Sequence, residues 1–167
     1  MKVTGYKLQH AIRELSHARD IAAMQFDNSL KAFPDEEKPH PEAAMRAFLD
    51  AEGTMARLQV VQGDYNLRVK VQVLSQRMPL SEAVKLVGGA GRAEKMWRGA
   101  AGTKKERYSY DRDERAEGTI VATRTISVET AAAEAKKAAK WASALREAIQ
   151  VGNATEVEFD VDVTLFE

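Results

Sequence analysis

The pattern of apolar and polar residues predicts two long helices in the first 64 residues. In the first, over residues 4–32, apolar side chains recur every three or four positions among charged ones, at Leu8, Ile12, Leu15, Ala22 and Phe26. The stretch FPDEEKPHP cannot continue a helix, whereas Pro41 suits the first position of a second one that should end near Asp64. These segments therefore predict an antiparallel helical hairpin over residues 4–64.

The period then changes from helical to two, which indicates strands. Residues 67–74 alternate apolar side chains with basic and amide ones, and residues 155–165 alternate apolar with acidic ones. Opposite charges across a strand pair contribute roughly 0.2–1 kcal/mol each. We therefore expect these strands to be neighbours, with Arg68 and Lys70 facing Glu158, Asp160 or Asp162.

The middle of the chain predicts short helices, a hairpin and a third long helix. LSEAVKLV after Pro79 is typical of a short helix, which we expect to be interrupted at Gly88-Gly89 before a further helical piece. Residues 107–112 and 118–126 resemble a β-hairpin around a charged turn. Ser127 suits the N-cap of a helix over residues 128–151, mostly alanine on one face and closed by Gly152.

Together these elements predict one α+β domain spanning residues 1–167. Its parts are a helical hairpin (4–64), a strand with short helices and a hairpin (67–126), a long helix (128–151) and a terminal strand (155–165). We expect the helices to pack against a small, mostly antiparallel sheet.

Composition excludes several classes of protein. The 25 basic residues balance the 25 acidic ones, which argues against general nucleic-acid binding. No cysteine is present, so disulfides, thiolate nucleophiles and Cys-ligated zinc are excluded. Neither a membrane-length apolar run nor a signal-peptide pattern occurs. We therefore expect a cytoplasmic protein, in the host cytoplasm if the gene belongs to a phage.

One segment combines cationic and aromatic side chains in a way that suits an anionic ligand. Guanidinium groups bind phosphate bidentately, and aromatic faces stack on bases. The predicted ligand-binding residues are Trp97, Arg98, Arg107, Tyr108, Tyr110 and Arg124. The alternative for this segment is a solvated hairpin whose charges pair locally and whose tyrosines pack on a helix.

The sequence gives less support to a catalytic function. His10, Glu14 and His17 share one face of the first helix, and Glu14 with His17 has the Glu-x-x-His spacing of helical metal ligands, but no second copy occurs. The glycine-rich GGAGR and GAAGTKK do not fit a phosphate loop, and no nucleophile elbow is present. We predict no catalytic residues and no cofactor, with the His10 group as the metal-site alternative.

Several segments resemble the septicolysin-like family of small bacterial and phage proteins. They are ARLQVVQGDYN, PLSEAVKLV, RYS and ISVETAAAEAKKAAKWASALREAIQVGNATEVEF, and they span most of residues 4–158. The glycines at 88, 89 and 91 and the acidic terminal strand depart from the family pattern. The resemblance implies the fold. It does not point to any particular activity, because the family has no established catalytic residues.

Three functions fit these observations. The first is a non-catalytic, homo-oligomeric protein that captures a small anionic, nucleotide-like ligand, as a phage sequestering protein would. The second is an assembly scaffold without a ligand, and the third is a metal-dependent enzyme using His10, Glu14 and His17. We expect self-association through the long helices, at Leu8, Ile12 and Leu15 or at the alanine-rich face of the last helix.

Overall fold

The computed structural model describes residues 1–31, 40–102 and 125–166, and it has the predicted α+β fold. In these residues the helices are α1 (Gly5–Ser29), α2 (Pro41–Arg68), α3 (Leu80–Gly102) and α4 (Val128–Ala154). The strands are β1 (Lys2–Val3), β2 (Lys70–Val73), β3 (Gln76–Pro79) and β4 (Val157–Glu158), and a 3₁₀ helix covers Val163–Phe166. The predicted hairpin of residues 107–126 lies almost entirely outside the described residues.

The chain divides into two compact units. One comprises Met1–Ala83 with Ala148–Glu167, and it contains α1, α2 and the four strands. The other is Val84–Glu147, which includes most of α3 and of α4. The prediction of a single domain stays a prediction.

Helices α1 and α2 form the predicted antiparallel hairpin. Thr4 caps α1, because its hydroxyl oxygen accepts a hydrogen bond from the Lys7 backbone nitrogen at 3.2 Å. Arg19 Nη1 on α1 donates to Glu52 Oε1 on α2 at 3.1 Å. Leu8 from α1 and Leu58 from α2 are fully buried, so the hairpin supplies much of the core of its unit.

Helix α2 runs four residues beyond the predicted end at Asp64. Tyr65 is fully buried, and the Val69 backbone nitrogen donates to its carbonyl oxygen at 3.0 Å, which closes the last turn. Asp64 and Arg68 form an ion pair one turn apart. Residues 67 and 68 therefore belong to the helix, although their apolar–polar alternation resembles a strand.

Strand β2 pairs with β3, so the predicted pairing of residues 67–74 with the terminal strand is wrong. The register joins Lys70 to Pro79 and Val73 to Gln76, across a two-residue turn at Leu74 and Ser75. Leu74 has φ 53°, a left-handed conformation that residues other than glycine seldom adopt. No glycine or asparagine marks this turn, which is why the sequence pattern does not reveal the hairpin.

The terminal strand is shorter than predicted, and it pairs with β1. Lys2 lies opposite Glu158 and Val3 opposite Val157. The cation that meets the acidic strand is Lys2, whose Nζ lies 3.3 Å from Glu156 Oε2. The predicted pairing of Arg68 and Lys70 with Glu158, Asp160 or Asp162 is therefore wrong.

Phe159 continues the backbone pairing, because its nitrogen donates to the Met1 carbonyl oxygen at 2.9 Å, and the residues after it leave the strand. Phe159 is buried, with its ring 6.3 Å from that of Tyr65 and the Arg68 guanidinium 4.7 Å from its centre. Asp162 Oδ1 accepts a hydrogen bond from the Thr164 backbone nitrogen at 3.0 Å, which lowers the pKa of the Asp162 carboxyl. This bond closes a turn at the start of the 3₁₀ helix.

Helix α3 is continuous, so the predicted interruption at Gly88-Gly89 is wrong. Each glycine in a helix interior costs about 1 kcal/mol relative to alanine. Ala90 is buried, and Glu94 forms an ion pair with Arg98 one turn later. Leu80 and Ala83 are buried on the N-terminal side of the glycines, so burial favours the helix on both sides and the glycines do not break it.

Helix α4 also passes through a glycine that was predicted to end it. Ser127 caps α4 as predicted, since its hydroxyl oxygen accepts from the Thr130 backbone nitrogen at 3.1 Å. Gly152 is buried within the helix, and a Cβ there would lie 2.8 Å from Val71 Cγ1 and 2.9 Å from Leu80 Cδ1. The position requires glycine because the neighbouring side chains leave no space.

Several residues predicted to contact a second copy are used inside the chain. Leu8 is fully buried, and Ile12 and Leu15 are partly buried. On the alanine-rich face of α4, Ala142 and Leu145 are fully buried as well. Self-association stays a prediction, and Leu8, Ala142 and Leu145 are not exposed for it.

Candidate functional site

The predicted anion site is described at two of its six positions, Trp97 and Arg98 on α3. Arg98 Nη2 donates to Glu94 Oε1 at 2.6 Å, so its guanidinium already has a carboxylate partner. Glu94 Oε2 also lies 3.6 Å from Arg146 Nη2 on α4, which makes Glu94 a bridge between two cations. The remaining predicted residues, Arg107, Tyr108, Tyr110 and Arg124, lie outside the described residues.

Of the three residues of the alternative metal site, the structure brings His10 and Glu14 close together. His10 Nδ1 lies 3.9 Å from Glu14 Oε1 one turn along α1, and both side chains are well exposed. They line a groove of about 450 Å³ between α1 and the 3₁₀ helix, where the Lys7 ammonium lies 4.9 Å from the centre of the Phe166 ring. His17 does not line this groove.

A metal ion would need more ligands than this pair supplies. Structural and catalytic zinc sites use three or four protein ligands. Among the described residues, no group of three or more His, Cys, Asp or Glu side chains could hold an ion. His10 and Glu14 therefore do not form a metal site with any described residue.

A polar groove between α1 and α2 is the site that the sequence analysis missed. Its volume is about 520 Å³, and the described part of its lining contains two guanidinium groups, three amides and one hydroxyl but no carboxylate. The lining residues are Gln9, Ile12, Arg13, Ser16 and Arg19 from α1 and Met55, Gln59 and Gln62 from α2. Hydrogen-bond donors thus face the groove from both helices.

The two arginines of this groove differ in their partners. Arg19 donates to Asp20 Oδ1 at 2.8 and 3.0 Å and to Glu52 Oε1 at 3.1 Å. The hydrogen bonds to Asp20 and to Glu52 raise the pKa of Arg19 above its ordinary value. Arg13 is exposed and makes no ion pair with any described residue. Arg13 therefore supplies the unpaired positive charge.

The described lining of the groove is suited to binding an anion. General acid–base catalysis needs a group whose pKa lies near the working pH, and guanidinium groups and amides do not titrate there. Ser16 would need a neighbouring base to act as a nucleophile, and no histidine or carboxylate is among the described residues that line the groove. Arginine and amide donors, in contrast, are well suited to holding a carboxylate or phosphate.

A sequence signal for this groove exists. Gln9, Arg13 and Ser16 follow one another at i, i+4 and i+7, and Met55, Gln59 and Gln62 repeat the same spacing on α2. Such spacing places each set on one helix face. Gln9, Arg13 and Ser16 on one helix and Gln59 and Gln62 on the other therefore predict a polar groove once the direction of the hairpin is known.

Comparison with protein-family models, with curated proteins and with solved structures finds no match to the chain. The resemblance to the septicolysin-like family therefore stays a prediction. Within the described residues, no helix combines the length and the apolar character needed to cross a membrane.

Proposed function

We propose that the protein binds a small anionic ligand without transforming it and that it self-associates through its long helices, in the cytoplasm. The observation that carries the ligand-binding half is the α1–α2 groove, which Arg13 and the amides of Gln9, Gln59 and Gln62 line, with no carboxylate among its described lining residues. A phosphate or carboxylate there would accept charge-assisted and amide hydrogen bonds. Ile12 and Met55 add apolar surface for the rest of the ligand.

The volume supports a ligand of nucleotide size. Small-molecule sites usually measure roughly 300–1,000 Å³, and this groove has about 520 Å³. Amide groups can donate to and accept from the edge of a base, while a guanidinium holds phosphate. Nucleotides are therefore the first probes to test, as the Arg and aromatic residues of the segment 97–124 also predict.

The test is a thermal-shift titration with nucleoside mono- and diphosphates and with pyrophosphate. We expect the melting temperature to rise, because a ligand that binds only the folded state stabilises it. Arg13→Gln removes the charge but keeps a donor, and loss of charge-assisted bonds worth about 1.5–3 kcal/mol should weaken binding roughly tenfold or more. Arg77→Gln, at an exposed position on β3, is the matched control and should bind normally.

Other outcomes assign the function differently. If Arg13→Gln binds fully and Arg107→Ala does not bind, the ligand site lies in the segment 97–124 rather than in the α1–α2 groove. Recovery of the nucleotide in hydrolysed form would overturn the non-catalytic proposal. If no anion raises the melting temperature, the scaffold function, which the exposed apolar side chains Leu49, Val60 and Leu67 favour, becomes the better one.

A further inference from the structure

Helix α2 carries a second apolar face in addition to the face that packs in the core. Six residues without a polar side chain recur along it, and we name them the outer seam: Leu49, Gly53, Ala56, Val60, Gly63 and Leu67. At about 100° per residue, these positions share one sector, roughly opposite the buried Leu58 and Tyr65. A surface helix normally has charged or polar residues there.

Every residue of the outer seam is exposed in the chain. The exposed fractions are 59% for Leu49, 74% for Val60 and 60% for Leu67. A Cβ at Gly53 or at Gly63 would meet no atom of the described residues within 4 Å. Contiguous apolar surface of this kind is typical of an interface, because leaving it in water is unfavourable.

The spacing of the outer seam is that of a helix–helix contact. The intervals between successive members are 4, 3, 4, 3 and 4 residues, which is the a/d repeat of a coiled coil. The seam spans 18 intervals of 1.5 Å, or about 27 Å. A partner helix of similar length would cover all six positions.

The outer seam is also complementary to itself. Read in either direction, the spacing is the same, and the order is Leu, Gly, small or branched, small or branched, Gly, Leu. A two-fold axis that crosses the outer seam at the level of residue 58 along α2 would place Leu49 opposite Leu67 of a second copy and Gly53 opposite its Gly63. The two glycine levels allow close approach of the helices, and Ala56 would meet Val60 near the axis.

The charges beside the outer seam permit this pairing. Asp50, Arg57, Asp64 and Arg68 follow one another along one flank, so acidic and basic residues alternate. About a two-fold axis near residue 58, this flank meets the same flank of the second copy, so Arg57 would lie beside its own counterpart and Asp50 near both Asp64 and Arg68. The flank carries two charges of each sign and therefore does not require a strongly charged partner. A second copy of this chain therefore fits the surface better than a strongly acidic or basic protein.

From these observations we infer that the outer seam is a homodimer interface in which α2 of one copy packs antiparallel against α2 of a second copy. This inference rests on the self-association half of the proposed function and gives it a surface. It replaces the contacts predicted at Leu8 and on the alanine-rich face of α4, whose central residues are buried.

Sedimentation equilibrium on matched lysine variants tests the surface. Ala56→Lys places a charge in the middle of the seam, and Ala47→Lys makes the same exchange at an exposed position of α2 outside it. We expect a dimer for the wild type and for Ala47→Lys, and at least a hundredfold weaker association for Ala56→Lys. Equal helix content by circular dichroism excludes unfolding as the cause. A monomeric wild type, or an Ala56→Lys dimer of unchanged affinity, would overturn the inference.

Disulfide trapping tests the direction, because the chain contains no native cysteine. Leu49→Cys and Leu67→Cys should each resist cross-linking alone and should cross-link when mixed. Cross-linking of Leu49→Cys with itself would show a parallel pair and reject the antiparallel arrangement. Because the α1–α2 groove lies within one copy, anion binding does not require the dimer. If monomeric Ala56→Lys still shows an anion-induced rise in melting temperature, the ligand-binding proposal stands independently of the dimer inference.

Discussion

At the scale of single residues, Tyr65 links three parts of its unit. Its hydroxyl donates to the carbonyl oxygens of Gly152 at 2.6 Å and of Thr155 at 2.7 Å, while its ring stacks on Phe159. Burial raises the pKa of Tyr65, and a backbone hydrogen bond with Gly5 opposes that effect. A hydroxyl with its proton engaged by two carbonyls is structural rather than catalytic.

Replacing Tyr65 by Phe should lower the free energy of unfolding by about 0.5–1.5 kcal/mol, because the carbonyl oxygens of Gly152 and Thr155 lose the hydroxyl donor, while Gly152 keeps its hydrogen bond from the Thr155 backbone nitrogen. The effect should depend on pH. Since the pKa of Tyr65 is raised above its ordinary value of 10.0, the hydroxyl's contribution is fully present below pH 10 and is lost as pH rises through the folded-state pKa.

Urea unfolding of both proteins between pH 7 and pH 11 would measure this difference. The gap between wild type and Tyr65→Phe should stay constant up to roughly pH 9 and narrow above pH 10. A gap that widens at alkaline pH would contradict the assignment of Tyr65 as a buried neutral donor.

At the scale of elements, helices were easier to predict than strands. Periodic apolar positions locate α1, α2 and α4 because a long amphipathic segment repeats its signal over many turns. Strand β1 has only two residues, Lys2 and Val3, which is too short for any alternation. The partner of an alternating strand depends on tertiary packing, so the acidic alternation of residues 155–165 could not identify β1.

Glycines show the same limit within helices, since sequence alone does not tell which ones the fold needs. Gly152→Ala should destabilise the protein by roughly 1–3 kcal/mol, because the new methyl would press against Val71 and Leu80. Gly89→Ala should stabilise it by up to about 1 kcal/mol, because α3 leaves open space there and alanine favours the helix.

Thermal unfolding of these two alanine variants provides the measurement, each serving as the control for the other. Equal effects of the same sign would show that helix propensity, rather than the space beside Gly152, decides the outcome.

The candidate site illustrates what sequence can and cannot provide. Arg98 and Trp97 have suitable chemistry for an anionic ligand. The Arg98 guanidinium, however, already donates a hydrogen bond to Glu94, one helical turn earlier, and this contact depends on the orientation of both side chains. Arg13 on α1 and Gln59 on α2 line the same groove only because the two helices pack against each other in an antiparallel hairpin. Residue types predict chemistry, and packing decides which of them remain free to bind.

At the scale of the whole molecule, the α1–α2 groove and the outer seam lie on different faces of the same helical hairpin. They share no residue, and one face depends on charge while the other depends on apolar burial. Ligand binding and self-association should therefore respond to different conditions.

Raising sodium chloride from 50 mM to 500 mM should separate the two processes in the wild-type protein. Affinity for a phosphate-bearing nucleotide should fall severalfold, because the Debye length shrinks from about 14 Å to about 4 Å and the charge of Arg13 is solvent-exposed. The dimer should persist, because burial of apolar side chains such as Leu49 and Val60 is not weakened by salt. Titration calorimetry and sedimentation at both salt concentrations measure the two affinities. Dissociation of the dimer at high salt would show that the flanking charges, rather than the apolar seam, hold the copies together.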